Sequence, residues 1–256
     1  MADASLRPTQ RFSDRVADYV RYRPGYPDEV IRTLRNEAGL DSDSVVADVG
    51  SGTGISSELF LSVGCTVHAV EPNDEMRLAG EDRHAGNPRH HSVAGTAEVT
   101  GLTDRSVDFV AAGQAFHWFD ASRARVEFLR ILRREGHAVL FWNDRRIGST
   151  PFHRDYEAIL QRFATDYRKV RQNKSDAAIA TLFGSPFRKW SFYNEQQLDL
   201  AAFRGRIRSS SYSLAKGHPD HDAMLSELDR VFREHEETGL VRIEYDCEIF
   251  LGHLTP

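Results

Sequence analysis

The residues best suited to approach a ligand form a glycine-rich turn at 48–54, Asp-Val-Gly-Ser-Gly-Thr-Gly. The turn follows Val45–Val49, a short apolar run typical of a buried strand, and precedes a helical pattern. Glycine reaches positive φ and leaves backbone groups uncovered at the carboxyl end of the strand, where open α/β sheets bind ligands. The glycine spacing is G-x-G-x-G, with Ile55 following, so it departs from the G-x-G-x-x-G fingerprint and disfavours an NAD-dependent reductase.

Glu71 is the second candidate ligand-binding residue. It stands at the end of the second predicted strand, Thr66–Val70. A carboxylate there can accept hydrogen bonds from both ribose hydroxyls and would repel a 2′-phosphate. Both NAD and adenosine-type ligands need such an acid, so Glu71 alone does not distinguish them.

Ordered motifs along the chain resemble those of class I S-adenosylmethionine-dependent methyltransferases of the methyltransferase type 11 kind. The resemblance is strong over residues 12–145. Residues 19–27, Tyr-Val-Arg-Tyr-Arg-Pro-Gly-Tyr-Pro, resemble the N-terminal cap of a subgroup that includes trans-aconitate methyltransferase-like proteins. The remaining matches are 48–54, 68–73 (His-Ala-Val-Glu-Pro-Asn), 95–98 (Gly-Thr-Ala-Glu), 106–109 (Ser-Val-Asp-Phe) and 114–119 (Gln-Ala-Phe-His-Trp-Phe).

The resemblance implies S-adenosyl-L-methionine as cofactor and S-adenosyl-L-homocysteine as product. The main chain of 50–54 would hold the methionine part, with Asp48 as a structural or amino-group partner. Glu71 would bind the ribose, and Gln114 would face the methionine end. Thr96 stands where many relatives carry an acid, and its hydroxyl would bond the adenine amino group more weakly. The implied cofactor-binding residues are Asp48, Gly50, Ser51, Gly52, Thr53, Gly54, Glu71, Pro72, Asn73, Met76, Thr96, Ala97, Glu98 and Gln114.

Arginines near the predicted site indicate an anionic methyl acceptor. Arg23 in the cap could grip a carboxylate through two hydrogen bonds, and Arg145 and Arg146 follow the fifth predicted strand. The alternative for each arginine is surface ion pairing. Aromatic side chains of the cap and of 114–119 could face the sulfonium or simply pack on the sheet. The predicted substrate-binding residues are Tyr22, Arg23, Tyr26, Trp118 and Arg145.

His117 is the candidate catalytic residue. As a general base it could take a proton from a hydroxyl or an activated carbon, and the alternative is a histidine that shapes the loop. A carboxylate is already ionised at neutral pH and needs no base. Two acceptor classes therefore stay open: a carboxylate methylated on oxygen, or a phenol, quinone or natural product methylated on carbon or oxygen with His117 as base. A non-catalytic cofactor-binding subunit is the alternative from another class.

Alternating strand and helix patterns predict an α/β fold, a Rossmann-like class I methyltransferase sheet. We expect about seven strands, mostly parallel with an antiparallel C-terminal strand, helices on both faces and an N-terminal helical cap. Ser13 caps the first cap helix, and residues 166–185 look irregular. A single domain is expected over 1–256, with the cap at 1–40, the cofactor-binding core at 41–145, and a substrate-side insertion with the last strands at 146–256.

The composition and net charge of the chain limit the kinds of molecule that it is expected to bind. The formal net charge of −5 disfavours a nucleic-acid backbone as the main partner. Two distant cysteines offer neither a disulfide framework nor a metal ligand set, so no metal is expected. No apolar run is long enough to cross a bilayer, and the N-terminus lacks a signal core. These features predict a cytoplasmic monomer or homodimer that acts on a small molecule.

Overall fold

The computed structural model describes residues 16–164, 167, 176–214 and 216–255, and within them seven strands form one sheet. The strands are β1 (Val45–Val49), β2 (Thr66–Val70), β3 (His90–Val93), β4 (Val107–Gly113), β5 (Leu132–Arg145), β6 (Arg188–Leu198) and β7 (Val241–Gly252). Their order is β3-β2-β1-β4-β5-β7-β6. β1 to β5 pair in parallel, and β7 runs antiparallel to both of its neighbours. The predicted parallel sheet with an antiparallel last strand is confirmed.

Helices cover both faces of the sheet, because side chains along each strand alternate between two cores. Val46 of β1 belongs to one core with Phe60, whereas Ala47 belongs to the other with Phe128. The described helices are α1 (Val16–Tyr22), α2 (Glu29–Ala38), α3 (Ile55–Leu61), α4 (Asp74–Arg83), α5 (Ala121–Ile131), α6 (Pro151–Phe163), α7 (Asp176–Phe183), α8 (Leu200–Arg208) and α9 (His221–His235). None of these helices has both the length and the apolar character needed to cross a membrane.

A third hydrophobic core joins α6, α8 and α9 to the first half of β7. β7 begins at Val241, opposite Leu198 of β6, and its first residues pair with β6 alone. Pairing with β5 begins only at Tyr245, which lies opposite Arg145. The overhang projects past the carboxyl end of β5, the edge of the sheet at which the parallel strands end. This core therefore stands over the edge where the glycine-rich turn opens.

Two elements differ from the sequence-based prediction. Residues 176–183 form a helix where 166–185 was expected to be irregular, since Ile179, Leu182 and Phe183 are buried against the α5 side of the sheet. β5 begins directly after α5 and is longer than the expected 138–142, so the segment 134–136 lies within the strand. Ser13 and positions 165–166 and 168–175 lie outside the described residues.

Candidate active site

The glycine-rich turn is held by its own backbone hydrogen bonds. Gly50, Gly52 and Gly54 have φ of 71°, 56° and 79°, which favours glycine. The N–H groups of Gly50 and Ser51 both donate to the Val70 carbonyl, at 2.8 and 3.2 Å. A Cβ on Gly50 would lie 2.4 Å from the Cβ of Ala115. The turn therefore offers a ligand close approach to bare backbone, while these N–H groups are used within the protein.

Glu71 ties this turn to the start of α4. Its Oε2 accepts the Gly52 N–H at 3.0 Å and its Oε1 accepts the Asn73 N–H at 2.9 Å. The side chain is buried, and burial raises the pKa of Glu71 although the two backbone hydrogen bonds oppose the rise. Each carboxylate oxygen has a further lone pair, so the group can still accept hydrogen bonds from a diol.

Two of the predicted cofactor residues hold the local structure. Asn73 is the N-cap of α4 and accepts the Met76 N–H through its side-chain oxygen at 2.9 Å, as expected for asparagine at a helix start. Asp48 is fully buried, and its Oδ2 accepts the hydroxyls of Ser56 and Ser57 at 2.7 and 2.6 Å. Burial raises the pKa of Asp48 to about 6. Its Oδ1 has no hydrogen-bond partner within the described part of the chain.

A cavity of about 320 Å³ opens beside the turn, and we call it the glycine-turn cavity. Its lining includes Tyr19, Gly113, Ala115 and Phe119, which the sequence analysis did not assign to the cofactor. Ser51 lines a small passage next to the cavity. Asp48, Thr53, Gly54 and Asn73 are not part of the lining. The cavity brings together these predicted cofactor residues: Gly50, Gly52, Glu71, Pro72, Met76, Thr96, Ala97, Glu98 and Gln114.

A second cavity, of about 290 Å³, lies between α1, β5, α8 and β7, and we call it the arginine cavity. Of the residues that the structure describes, three arginines line it, Arg23, Arg145 and Arg206. Tyr19, Gln114 and Trp118 line both cavities, so the two meet at these residues. The tyrosines Tyr167, Tyr212 and Tyr245 also contribute to its wall.

The three arginines differ in how their charge is balanced. Arg145 forms an ion pair with Glu157 and donates to the Tyr167 hydroxyl at 2.8 Å. Arg23 donates to the Ser209 carbonyl at 2.8 Å, and its guanidinium lies 4.7 Å from the Tyr19 ring centroid. Among the described residues, no carboxylate forms an ion pair with Arg23 or Arg206.

His117 lies in the arginine cavity together with Trp118, at the point where β4 ends. Both belong to a 3-10 turn, Phe116–Trp118, and their ring centroids are 4.7 Å apart. Gln114, just before the turn, has a positive φ of 60° and donates to the Asn143 carbonyl at 3.1 Å. Of this segment, Gln114 and Trp118 lie at the junction of the two cavities, and His117 lies on the arginine-cavity side.

Other predicted acceptor residues lie around these cavities rather than in them. The Tyr22 ring packs on α8, where a Cβ on Gly205 would lie 2.2 Å from it. Tyr26 packs edge-on against Phe141 at 4.7 Å and borders the passage beside Ser51. Arg146 pairs with Asp246 and lines neither cavity. The substrate-binding roles of Tyr22 and Tyr26 stay predictions.

Arg206 was missed in the sequence analysis. It lies in α8, remote in sequence from every motif, and is 6% exposed. Helical spacing could have pointed to it, because Phe203, Arg206 and Ile207 fall on one helical face. All three are buried in the structure. A charged residue on an apolar stripe requires an explanation, because a buried charge without a partner is costly.

Known proteins match this chain in both sequence and fold. Residues 47–140 match a family model described as a methyltransferase domain. An uncharacterized methyltransferase of Mycobacterium tuberculosis is 40% identical over 139 residues, which are 54% of this chain and 54% of that protein. The chain thus spans about half the length of the curated relatives it matches.

Two solved structures share the fold. A putative type II methyltransferase from Anaeromyxobacter dehalogenans superimposes with a TM-score of 0.64 at 24% identity, over 92% of this chain and 99% of that chain. A Haemonchus contortus phosphoethanolamine N-methyltransferase, in complex with phosphomonomethylethanolamine and S-adenosylhomocysteine, gives a TM-score of 0.53 at 15% identity, over 98% and 59%. Sequence and fold agree: residues 47–140 match a methyltransferase domain, and the chain has a fold seen in methyltransferases, which supports a class I S-adenosylmethionine-dependent methyltransferase.

Proposed function

We propose that this protein transfers a methyl group from S-adenosyl-L-methionine to a carboxylate-bearing small molecule. The observation that carries the proposal is the meeting of two cavities of opposite character at Tyr19, Gln114 and Trp118. One cavity holds the buried carboxylate of Glu71, and the other holds the guanidinium groups of Arg23 and Arg206, which form no ion pair with a carboxylate among the described residues. A cationic cofactor and an anionic acceptor would be bound on opposite sides of that junction.

The residues of the glycine-turn cavity fit the proposed cofactor. Glu71 presents carboxylate oxygens suited to ribose hydroxyls, and Met76 and Ala97 offer apolar surface for an adenine ring. A side chain at Gly50 would collide with Ala115, so that position must remain bare. The Haemonchus contortus structure of the same fold contains S-adenosylhomocysteine, which supports the same occupant here.

When bound, the cofactor supplies a sulfonium methyl: a carboxylate oxygen forms the new O–C bond, the C–S electron pair stays on sulfur, and a methyl ester results. No proton moves, because the carboxylate is already ionised. The protein therefore has to align the acceptor oxygen with the methyl and exclude water. Tyr19 and Trp118, at the junction, present aromatic surface to the sulfonium.

A second candidate, methylation of a phenol, quinone or natural product, rests on the place of His117 in the arginine cavity. For those acceptors His117 would remove a proton, and a positioned base contributes about 10²–10⁴-fold to rate. His117→Ala separates the two candidates. Turnover of a carboxylate acceptor should persist within about threefold, whereas loss of about 100-fold or more would favour the base mechanism.

The first test is thermal unfolding with S-adenosylmethionine, S-adenosylhomocysteine or NAD added separately. A ligand at about 100 times its Kd adds about 2.7 kcal/mol to the free energy of unfolding. We expect both sulfur nucleosides to raise the Tm and NAD to leave it unchanged. A Tm unmoved by either nucleoside, in protein stripped of copurified ligand, would contradict the proposal.

Glu71→Ala should weaken binding of S-adenosylhomocysteine about 100-fold. The variant removes the acceptor of the ribose hydroxyls and frees the Gly52 N–H that orders the turn, and hydrogen bonds to a charged group contribute about 1.5–3 kcal/mol each. Isothermal titration measures the change. Glu81→Ala, an acid of α4 paired with Arg77, is the control and should keep wild-type affinity. Equal affinity of Glu71→Ala and wild type would refute the ribose assignment.

A further inference from the structure

A short turn at 96–99 forms part of the lining of the glycine-turn cavity. Thr96, Ala97 and Glu98 all line the cavity. The N–H of Thr96 donates to the Val99 carbonyl at 3.0 Å, and the N–H of Val99 donates back to the Thr96 carbonyl at 3.3 Å. The turn is closed by its own backbone, so its place beside the cavity depends on what holds the residues next to it.

Glu127 of α5 holds the residue that follows the turn. Thr100 is fully buried, and both its N–H and its hydroxyl donate to Glu127 Oε1, at 2.8 and 2.5 Å. Glu127 is itself 8% exposed and does not line the glycine-turn cavity. Hydrogen bonds to an ionised acceptor are stronger than those to a neutral one. Glu127 therefore fixes Thr100 firmly without reaching the cavity.

Arg130, one turn further along α5, holds the Glu127 carboxylate in this orientation. Its Nε donates to Glu127 Oε2 at 2.8 Å, and its Nη2 donates to Oε1 at 2.7 Å. The hydrogen bonds from Arg130, and then those from Thr100, lower the pKa of Glu127 to about 2, although burial opposes the fall. Glu127 is thus ionised throughout the neutral pH range, and its hold on Thr100 does not vary there.

The turn is also attached to the beginning of α5. Glu98 accepts the Asp120 N–H through Oε1 at 2.9 Å, and Asp120 is the N-cap of the helix. The same helix therefore holds the turn at two points, one within it and one just after it. Phe128 and Ile131 bury α5 in the core of the sheet, and a close-packed core gives the helix a fixed place from which to support the turn.

We infer that Glu127 is a positioning residue for the cofactor: through Thr100 it fixes the turn at 96–99, and so sets the preference of the site for adenine over other bases. This inference rests on the proposed function, in which the glycine-turn cavity binds S-adenosyl-L-methionine. Thr96 would bond the adenine amino group, and a hydrogen bond is lost when its two atoms move apart by less than about 1 Å. Release of Thr100 would therefore remove recognition of the base without changing any residue that lines the cavity.

S-Adenosylhomocysteine and S-inosylhomocysteine are matched probes, because oxygen replaces the adenine amino group in the second. Glu127→Ala should weaken the first about 10-fold and the second no more than about threefold, since only the first loses the hydrogen bond of its amino group. Calorimetry measures both affinities. A merely structural loss would change both affinities alike and leave their ratio unmoved. Glu127→Gln should stay within about threefold of wild type for both, because its amide oxygen still accepts from Thr100.

Ile131→Val is the control, a buried change on the same helix that leaves Glu127 and Thr100 in place. It should lower the midpoint of denaturation and keep both affinities within about twofold of wild type. Should Glu127→Ala fail to fold, Thr100→Val carries the test. It keeps the volume and the backbone donor, removes the hydroxyl donor, and should reduce the adenine preference at least about twofold.

The outcomes separate this inference from the proposed function. Failure of wild-type protein to bind S-adenosylhomocysteine would contradict the proposed function itself. With that binding intact, equal affinity of wild type for the two probes would overturn the inference alone. An adenine preference in folded Glu127→Ala, or in Thr100→Val where the first variant does not fold, equal to that of wild type would overturn it as well.

Discussion

The glycine-turn cavity and the arginine cavity adjoin each other, but they are built in different ways. The first is lined mainly by a few short sequence motifs, among them two glycines of the turn and residues 96–98, with the buried acids Asp48 and Glu71 beneath and beside it. The second is made from side chains of segments far apart in the sequence, with buried guanidinium groups. The difference indicates a division of roles: an invariant cationic cofactor can be bound by the fold itself, whereas the acceptor is selected by individual side chains.

The same difference predicts how each region responds to change. Substitutions at the glycine-turn cavity should reduce stability as well as binding, since the turn is also a hydrogen-bonded part of the sheet edge. Substitutions in the arginine cavity should change acceptor binding while leaving the fold and cofactor affinity intact. The following changes test the contrast from the largest expected effect to the smallest.

Gly50→Ala should lower the free energy of unfolding by about 3 kcal/mol and abolish measurable cofactor binding. The residue has a φ of 71°, which costs a Cβ-bearing residue about 1 kcal/mol, and overpacking against Ala115 adds about 1–3 kcal/mol. Chemical denaturation and calorimetry measure the two effects. Gly86→Ala is the control, since Gly86 has a φ of 79° with nothing within 4 Å of an added Cβ. A loss no larger than that of Gly86→Ala would show that the close approach at Gly50 is unimportant.

Asp48→Asn should remove a pH dependence of stability of about 2 kcal/mol between pH 4.5 and 7.5. The pKa of Asp48 rises from 3.8 to about 6 on folding, because burial disfavours its charge. This contribution to stability is fully present below pH 3.8 and is lost as the pH rises through 6, since the unfolded chain releases the proton first. Wild-type stability should therefore fall relative to Asp48→Asn as the pH rises. Denaturant titrations across this range that show a constant gap would contradict the assignment.

The sequence was informative for the glycine-turn cavity because its contacts lie within short motifs. Gly50, Glu71 and 96–98 could each be assigned from local pattern and resemblance, and the structure brings them to one cavity. The parallel sheet and its antiparallel last strand followed from alternating periodicity in the same way. Ordered motifs and period-two strands are local properties, so a sequence exposes them directly.

The arginine cavity was only partly predictable because its members meet through tertiary packing. Arg23 and Arg145 were expected there, but Arg206 depends on how α8 docks on β7, and Arg146 pairs with Asp246 outside the cavity. Helix α7 was missed because its short apolar face is next to polar residues.

Arg23→Ala should raise the KM for an acidic acceptor about 10-fold and leave S-adenosylhomocysteine affinity unchanged. The guanidinium faces the arginine cavity, so its loss removes charge-assisted hydrogen bonds to the acceptor without touching Glu71 or the glycine-rich turn. Initial-rate kinetics with succinate measure the KM, and calorimetry measures the cofactor product. Arg21→Ala is the matched control, because Arg21 lies two residues away, is exposed and lines neither cavity. If the KM stayed at its wild-type value, Arg23 would not be part of the acceptor site. If cofactor affinity fell in parallel with acceptor affinity, the separation between a cofactor region at the glycine-turn cavity and an acceptor region at the arginine cavity would fail.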